Sequence, residues 1–371
     1  MVGAALVVTL AVAHAALSAL ALPCAAFGVI ACAAACSAVV QNVATDAAHL
    51  AAVVGTAPYA CATGRIFLSY MALTLVVAAA LARRYDRSYA FGRASGTQRV
   101  AWPMCVYLLA VHVAAFEGAC RVSGTAMALE VIAWWQVSAL GITAGMHRLW
   151  SHRSYAATAP LRAALAALAS VCNQGSIYHW CRDHRVHHKY AETTADPHDS
   201  SRGFFYAHVG WLLLCKSEAT KAAGRKIPTD DVMRDPIVRF NRWASPWLDL
   251  ALCFGMPAVY GHYVHGDAAL GALVFGALRY CIVLHATWMV NSVAHFYGGR
   301  PYDAKIAARE NAAVTVLAVG EGYHNWHHKF PRDYACSEHG PWNPTKALID
   351  AAALVGLCSD RNRPARALKV A

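Results

Sequence analysis

The sequence predicts an all-α integral membrane protein, with a four-helix core in two transmembrane hairpins and a polar, histidine-rich part on one face. Three observations carry this. Of 371 residues, 58% are hydrophobic and only 14% are charged, whereas an average soluble protein is about 25% charged. Four apolar runs of near-spanning length come in two pairs, each pair joined by a short polar turn. The polar segments beside them carry eight histidines in three tight boxes.

The composition also narrows the function classes. The net charge of +11 suits anionic lipid or an anionic cofactor, and the apolar runs argue against a nucleic-acid binder. The 13 cysteines form no C-x-x-C pair and are scattered through apolar stretches. They read as small buried hydrophobes rather than a disulfide framework or a zinc site.

Met1 to Val40 is nearly free of charge. It lacks the basic start of a signal peptide, so a membrane anchor is expected. Ile66 to Ala82 is a second apolar run, barely long enough to cross a bilayer, which takes about 20 helical residues. A link rich in arginine (Arg83 to Arg99) follows, and by the positive-inside rule it faces the cytosol. Trp102 to Cys120 and Ala126 to Met146 form the first hairpin, whose return span ends directly at His147. Leu161 to Val171 and Phe204 to Cys215 are too short to span and read as interfacial or buried helices. Trp247 to Val264 and Ala268 to Val290 form the second hairpin around His265-Gly-Asp267, a turn almost without positive charge. The chain thereby returns to the cytosolic side near Asn291, and all the boxes fall on one face of the membrane.

The boxes are His147-Arg-Leu-Trp-Ser-His152, His184-Arg-Val-His187-His188 and His324-Asn-Trp-His327-His328, with His295 four residues after Asn291. Neutral imidazole is the commonest protein metal ligand and suits iron, zinc and copper. One metal needs three or four such ligands, so nine candidates suffice for two. Positions i, i+3 and i+4 share a helix face, so each H-x-x-H-H projects its rings together. His147 and His152 are five apart, a rotation of about 140° on a regular helix. They either grip different metals or mark a place where the helix unwinds. Isolated histidines (His14, His49, His112, His262, His265, His285, His339) read as surface or hydrogen-bonded core residues.

The segments around the boxes resemble the membrane fatty-acyl desaturases, most closely the acyl-CoA Δ9 (stearoyl-CoA type) branch. The resemblance rests on Gly141-Ile-Thr-Ala-Gly-Met-His-Arg-Leu-Trp-Ser-His-Arg-Ser-Tyr155 and on Arg182-Asp-His-Arg-Val-His-His-Lys-Tyr190 with Glu192 and Ala195-Asp-Pro-His198. It continues through Arg202-Gly-Phe-Phe-Tyr-Ala-His-Val-Gly-Trp211, Asn291-Ser-Val-Ala-His295 and Gly299-Arg-Pro-Tyr-Asp303. It ends with Glu321-Gly-Tyr-His-Asn-Trp-His-His328, Phe330-Pro-Arg-Asp-Tyr334 and Asn343-Pro-Thr345. The implied layout is an N-terminal extension over 1–95 with possible extra membrane segments, a desaturase domain over 96–362 and a basic tail over 363–371.

The resemblance implies four membrane helices under a cytosolic helical cap in the endoplasmic reticulum membrane. It implies two irons held by His147, His152, His184, His187, His188, His295, His324, His327 and His328, with Asn291 acting through water. The implied reaction places a cis double bond in a saturated fatty acyl-CoA, using O2 and two electrons. There is no G-x-G-x-x-G before a helix and no His-Pro-Gly-Gly of a fused cytochrome. Cytochrome b5 and NADH-cytochrome b5 reductase are therefore the implied electron donors. Arg182, Arg185, Lys189 and Arg202 would face that donor, hold coenzyme A phosphates, or simply be solvated. Trp180, Thr287 and Trp288 are expected to line and bend the acyl tunnel, with Ala139 and Trp135, one turn apart, at its closed end. Gln174-Gly-Ser-Ile-Tyr-His179 departs from the usual Gln-Asn-Asp-Ile-Tyr-Glu, which leaves the acyl carrier open, and His179 is not expected to be a ligand. The rivals are a di-iron hydroxylase or oxygenase on the same scaffold and a non-catalytic metal-binding membrane protein.

Overall fold

The computed structural model of the chain describes residues 98–338 and 340–364. The expected N-terminal anchor, the second apolar run and most of the basic tail lie outside them. Helix α1 (Trp102–Arg121) starts with Pro103 in its first turn, where the missing N–H costs nothing. After a two-residue link, α2 (Gly124–Ser151) returns. The short α3 (Ala159–Cys172) and α4 (Ile177–Tyr190) then pack against the end of α2. Shorter helices follow: α5 (Glu218–Lys226), α6 (Asp230–Arg234) and α7 (Pro236–Ala244). Helix α8 (247–265) and helix α9 (Ala268–Phe296) form the second antiparallel pair. The chain ends with α10 (Ala312–Leu317), α11 (His324–Lys329) and α12 (Pro344–Leu354). A two-residue ribbon, Ala156–Ala157 against Cys358–Ser359, ties the last helix back to the end of α2.

Among the described residues, α1, α2 and α9 are long and apolar enough to cross a membrane. The fourth expected span differs. Helix α8 is continuous over 247–265 but does not reach the same apolarity. It carries Asp249, Tyr260, His262, Tyr263 and His265, all polar or amphipathic. Leu161 to Val171 is a short helix as expected. Phe204 to Cys215 is mainly a π-turn (Tyr206–Gly210) and one further turn.

Close approach of backbones holds the spanning helices together, as is common where no hydrophobic effect acts between them. A side chain at Gly118 of α1 would run into the backbone of Leu273 on α9. Gly261 and Gly271 meet face to face at the α8–α9 contact. At the end with the two inter-helix turns, Glu130 of α2 accepts hydrogen bonds from Tyr260 (2.8 Å) and His265 (2.9 Å) of α8. The opposite end holds the histidines. There α2, α3, α4 and α12 share one apolar cluster that includes Met146, Leu165, Ile177 and Ile349.

Candidate metal centre

The last eleven residues of α2, Gly141–Ser151, are π-helical. In this winding the amide of residue i+5 bonds the carbonyl of residue i, and His152 N donates to His147 O at 3.1 Å. Residues five apart then stand one above the other. The imidazoles of His147 and His152 meet edge to face at 4.9 Å. The helix therefore neither unwinds nor divides the two histidines between metals; it widens. Side chains from around it satisfy the loosened carbonyls. Ser151 Oγ donates to Met146 O (2.7 Å) and Tyr155 Oη to Ala144 O (2.9 Å).

Helix α4 begins at its N-cap Ser176, whose hydroxyl accepts from His179 N. It carries the second box, and α11 carries the third. Their faces are not shared as simply as the spacing suggests. Two groups form: His147, His152, His184, His188 and His327 make one, and His187, His295, His324 and His328 the other, each with ligand atoms within 4.8 Å of one another. Each helix thus gives its i, i+4 pair to one group and its middle histidine to the other.

The Nε2 atoms point inward. His147 lies 3.0 Å from His327, His152 2.7 Å from His184, and His188 2.9 Å from His327. In the second group His328 lies 3.2 Å from His324, and His295 3.2 Å from His324. Two donors about 2.0–2.1 Å from one metal and at right angles stand about 2.9 Å apart. The spacing fits shared coordination.

The outward nitrogens make the case stronger. His147 Nδ1 faces Glu321 at 3.0 Å, His187 Nδ1 faces Asp196 at 3.0 Å, and His295 Nδ1 faces Glu192 at 2.8 Å. A carboxylate there holds the proton on Nδ1 and turns the Nε2 lone pair inward, the usual second layer of a histidine metal site. Glu321 also receives Arg148, wholly buried, at 2.8 Å. Burial, and after it the neighbouring rings, hold His152, His184, His188, His324, His327 and His328 well below the ordinary histidine range. They are neutral, the ligating form. Burial also lowers His187, but Asp196 outweighs it and raises the net value.

Asn291 and His295 flank a break in α9 at Ser292 (φ −108°, ψ −74°). Asn291 lines a cavity together with His147, His184, His187 and His324. The same cavity is walled by Ala139, Ile142, Trp180, Val283, Ala286, Thr287 and Val290. Thr287 accepts from Gln174 Nε2 at 2.9 Å.

The other expected substrate residues lie elsewhere. Trp288, on another face of α9, packs on His112, His208 and His285. Trp135 packs against the apolar cluster beneath the histidines. Arg182 pairs with Asp183 beside it, and Arg202 covers the ring of Tyr206 at 3.5 Å. Arg185 is drawn inward, donating to Trp150 O, Ser151 O, Pro228 O and Asp231. His179 bonds Ser176 Oγ at 2.8 Å and belongs to neither histidine group. The orienting carboxylates Glu192, Asp196 and Glu321 were not singled out by sequence spacing. The available signal was their position within eight residues of a box.

Apolar helices of spanning length and two converging imidazole groups define a membrane-associated, histidine-based metalloprotein. The profile of the fatty acid desaturase family matches residues 124–342. The chain is 50% identical over 229 residues to "Stearoyl-CoA desaturase 5" of Bos taurus, covering 61% of this chain and 68% of the relative. It is 46% identical over 276 residues to "Stearoyl-CoA desaturase 2" of Mus musculus (73% and 76%). It is 45% identical over 267 residues to "Delta(9)-fatty-acid desaturase fat-7" of Caenorhabditis elegans (71% and 79%). The chain belongs to the fatty acid desaturase family.

Proposed function

We propose that the protein is an acyl-CoA Δ9-type desaturase that converts a saturated acyl chain to its cis-unsaturated form. One observation carries this reading: a single cavity joins four histidines of the two groups to a wall of aliphatic side chains. An alkyl chain fits such a wall, and a polar substrate does not. Similarity to relatives named for stearoyl-CoA and Δ9 desaturation supports the substrate class.

The reaction is R–CH2–CH2–R′ + O2 + 2 e⁻ + 2 H⁺ → R–CH=CH–R′ + 2 H2O. Unactivated C–H bonds offer nothing to a side-chain base. Two iron ions, one in each histidine group, would supply the oxygen chemistry. The donor set suits iron, being all imidazole with carboxylates behind. Asn291 belongs beside the four-histidine group, reaching it through water. The protein's share is placement. Trp180 and Thr287 are linked through Gln174, whose Oε1 lies 3.4 Å from Trp180 Nε1, and together they set the bend of the cavity. Ala139 leaves space near the closed end, with Trp135 one turn behind it.

Cytochrome b5, reduced by its NADH-dependent reductase, is the electron donor in this reading. The histidine end then faces the cytosol from the endoplasmic reticulum membrane. In this reading Lys189, Arg182 and Arg202 face the donor or the coenzyme A phosphates, while Arg185 is taken up by its internal partners.

Expression in desaturase-deficient yeast tests the function. A new double bond at the ninth carbon is the expected product. An acyl chain that gains oxygen instead identifies a hydroxylase. Well-expressed, iron-loaded protein with no lipid product overturns the enzymatic reading.

A further inference from the structure

Asn343-Pro-Thr345 lies outside both histidine groups, yet its two polar side chains reach the outward partners of one of them. Asn343 caps α12, its Oδ1 accepting from Lys346 N at 2.9 Å. The cap accounts for that oxygen alone. Both side chains are buried, and their remaining hydrogen bonds run to two turns on either side of the third box.

The first turn precedes the box. Thr345 Oγ1 donates to Val319 O at 2.7 Å. That uses its one proton, so Thr143 is the donor in the 2.7 Å contact between Thr143 Oγ1 and Thr345 Oγ1. Val319 has φ +55° and Gly320 φ +102°. Two successive left-handed residues, the first of them β-branched, make a strained turn that persists only where its surroundings hold it. Asn343 closes against it: a Cβ at Gly320 would stand 2.7 Å from Asn343 Oδ1. The turn delivers Glu321, whose carboxylate faces His147 Nδ1 at 3.0 Å.

The second turn follows the box. Asn343 Nδ2 donates to Ala335 O at 2.7 Å and to Ser337 Oγ at 3.2 Å. Cys336 stands between them, buried and again left-handed at φ +50°. Its thiol donates to Asp333 O at 3.4 Å, and its Sγ lies 3.5 Å from His327 Nδ1. His327 turns Nε2 toward His147 and His188. As a ligand through Nε2 it carries its proton on Nδ1, and the sulfur accepts it. His147 and His327 belong to the same group of five. Both of their outward partners therefore sit on left-handed turns, and both turns are tied to the start of α12.

We propose that Asn343 and Thr345 are positioning residues for the group of five, fixing Glu321 on His147 and Cys336 on His327. The inference rests on the reading of that group as a metal site. An acceptor held on Nδ1 keeps each ring in the Nδ1–H form with Nε2 free to ligate. A turn released from α12 lets the ring rotate or change tautomer. The group of four takes its outward carboxylates from Glu192 and Asp196 instead, so the effect is confined to one group.

Thr345→Val is the decisive variant, because it keeps the shape and removes the hydroxyl. Thr345→Ser restores the hydroxyl. Cobalt(II) is added to metal-free protein and withdrawn with a chelator. His152→Ala and His328→Ala identify which spectrum belongs to which group. Thr345→Val is expected to release the ion of the group of five about 10–100-fold more readily. The ion of the group of four stays, and Thr345→Ser behaves as the parent. Equal retention of both ions, equal loss of both, or a serine variant no better than the valine one overturns the proposal. If Thr345→Val does not fold, Asn343→Asp carries the same prediction, since it keeps the capping oxygen and loses both amide donations. Nitrogen-15 spectra of metal-free protein give a second readout. His147 should be a single Nδ1–H tautomer in the parent and the serine variant, and a mixture in the valine variant. If the parent takes up no cobalt, the metal reading fails, and these spectra alone decide the role of α12.

Discussion

His147 and Glu321 stand 174 residues apart in sequence, yet Nδ1 and Oε2 meet at 3.0 Å, while the other oxygen of Glu321 holds the buried Arg148. The carboxylate therefore orients an imidazole of the five-histidine group and neutralises a wholly enclosed cation together. Glu321→Gln is expected to lower metal affinity by about 10–100-fold, read by metal retention during competition with a chelator. Glu321→Ala also leaves Arg148 unpaired, and it should unfold the domain rather than merely empty it.

The two groups predict separable metal loss. His152→Ala removes one histidine of the group of five alone, and His328→Ala one of the group of four alone. Metal analysis of each purified variant should show a deficit of one ion, with turnover abolished in both. Equal loss of both ions from either variant would contradict this partition.

Ala139 lines the cavity beneath His147. Ala139→Leu should shorten the accepted acyl chain, cutting kcat/KM for the longest substrate by about 10–200-fold per excluded methylene. Competition between acyl chains of different length measures it, and an unchanged profile refutes the closed-end assignment.

Arg185 and Asp231 give a pH prediction away from the ligands' own titration. Burial raises the Asp231 carboxyl, but its bonds from Arg185 outweigh that and leave it lowered. A lowered carboxyl stabilises fully above its unfolded range, and the contribution fades as pH falls through the folded value. Thermal melts of the parent should drop on acidification below the ordinary carboxylate range. Asp231→Asn should be less stable at neutral pH and show less of that drop.

Much of this architecture was legible because it is local. Apolar runs marked α1, α2 and α9, and ligand spacing marked every histidine that reaches the two groups. Long-range pairing was not legible. Sequence places His112 and His285 173 residues apart, and nothing local shows that they touch. The π winding of α2 also lay hidden, since it answers to packing around Gly141 and Gly145 rather than to any motif. Trp288 went to His112, His208 and His285 instead of the cavity because neighbours on a helix point about 100° apart, and Thr287 already takes the inward face.

The crossed assignment of α4 and α11 has a consequence for how the centre is gauged. His187 and His188 are consecutive, yet they serve different groups, as do His327 and His328. One peptide unit on each of two helices is then the ruler between the two histidine groups. No hinge or loop enters that measurement, so the spacing cannot drift unless a whole helix moves. Any such movement displaces both groups at once.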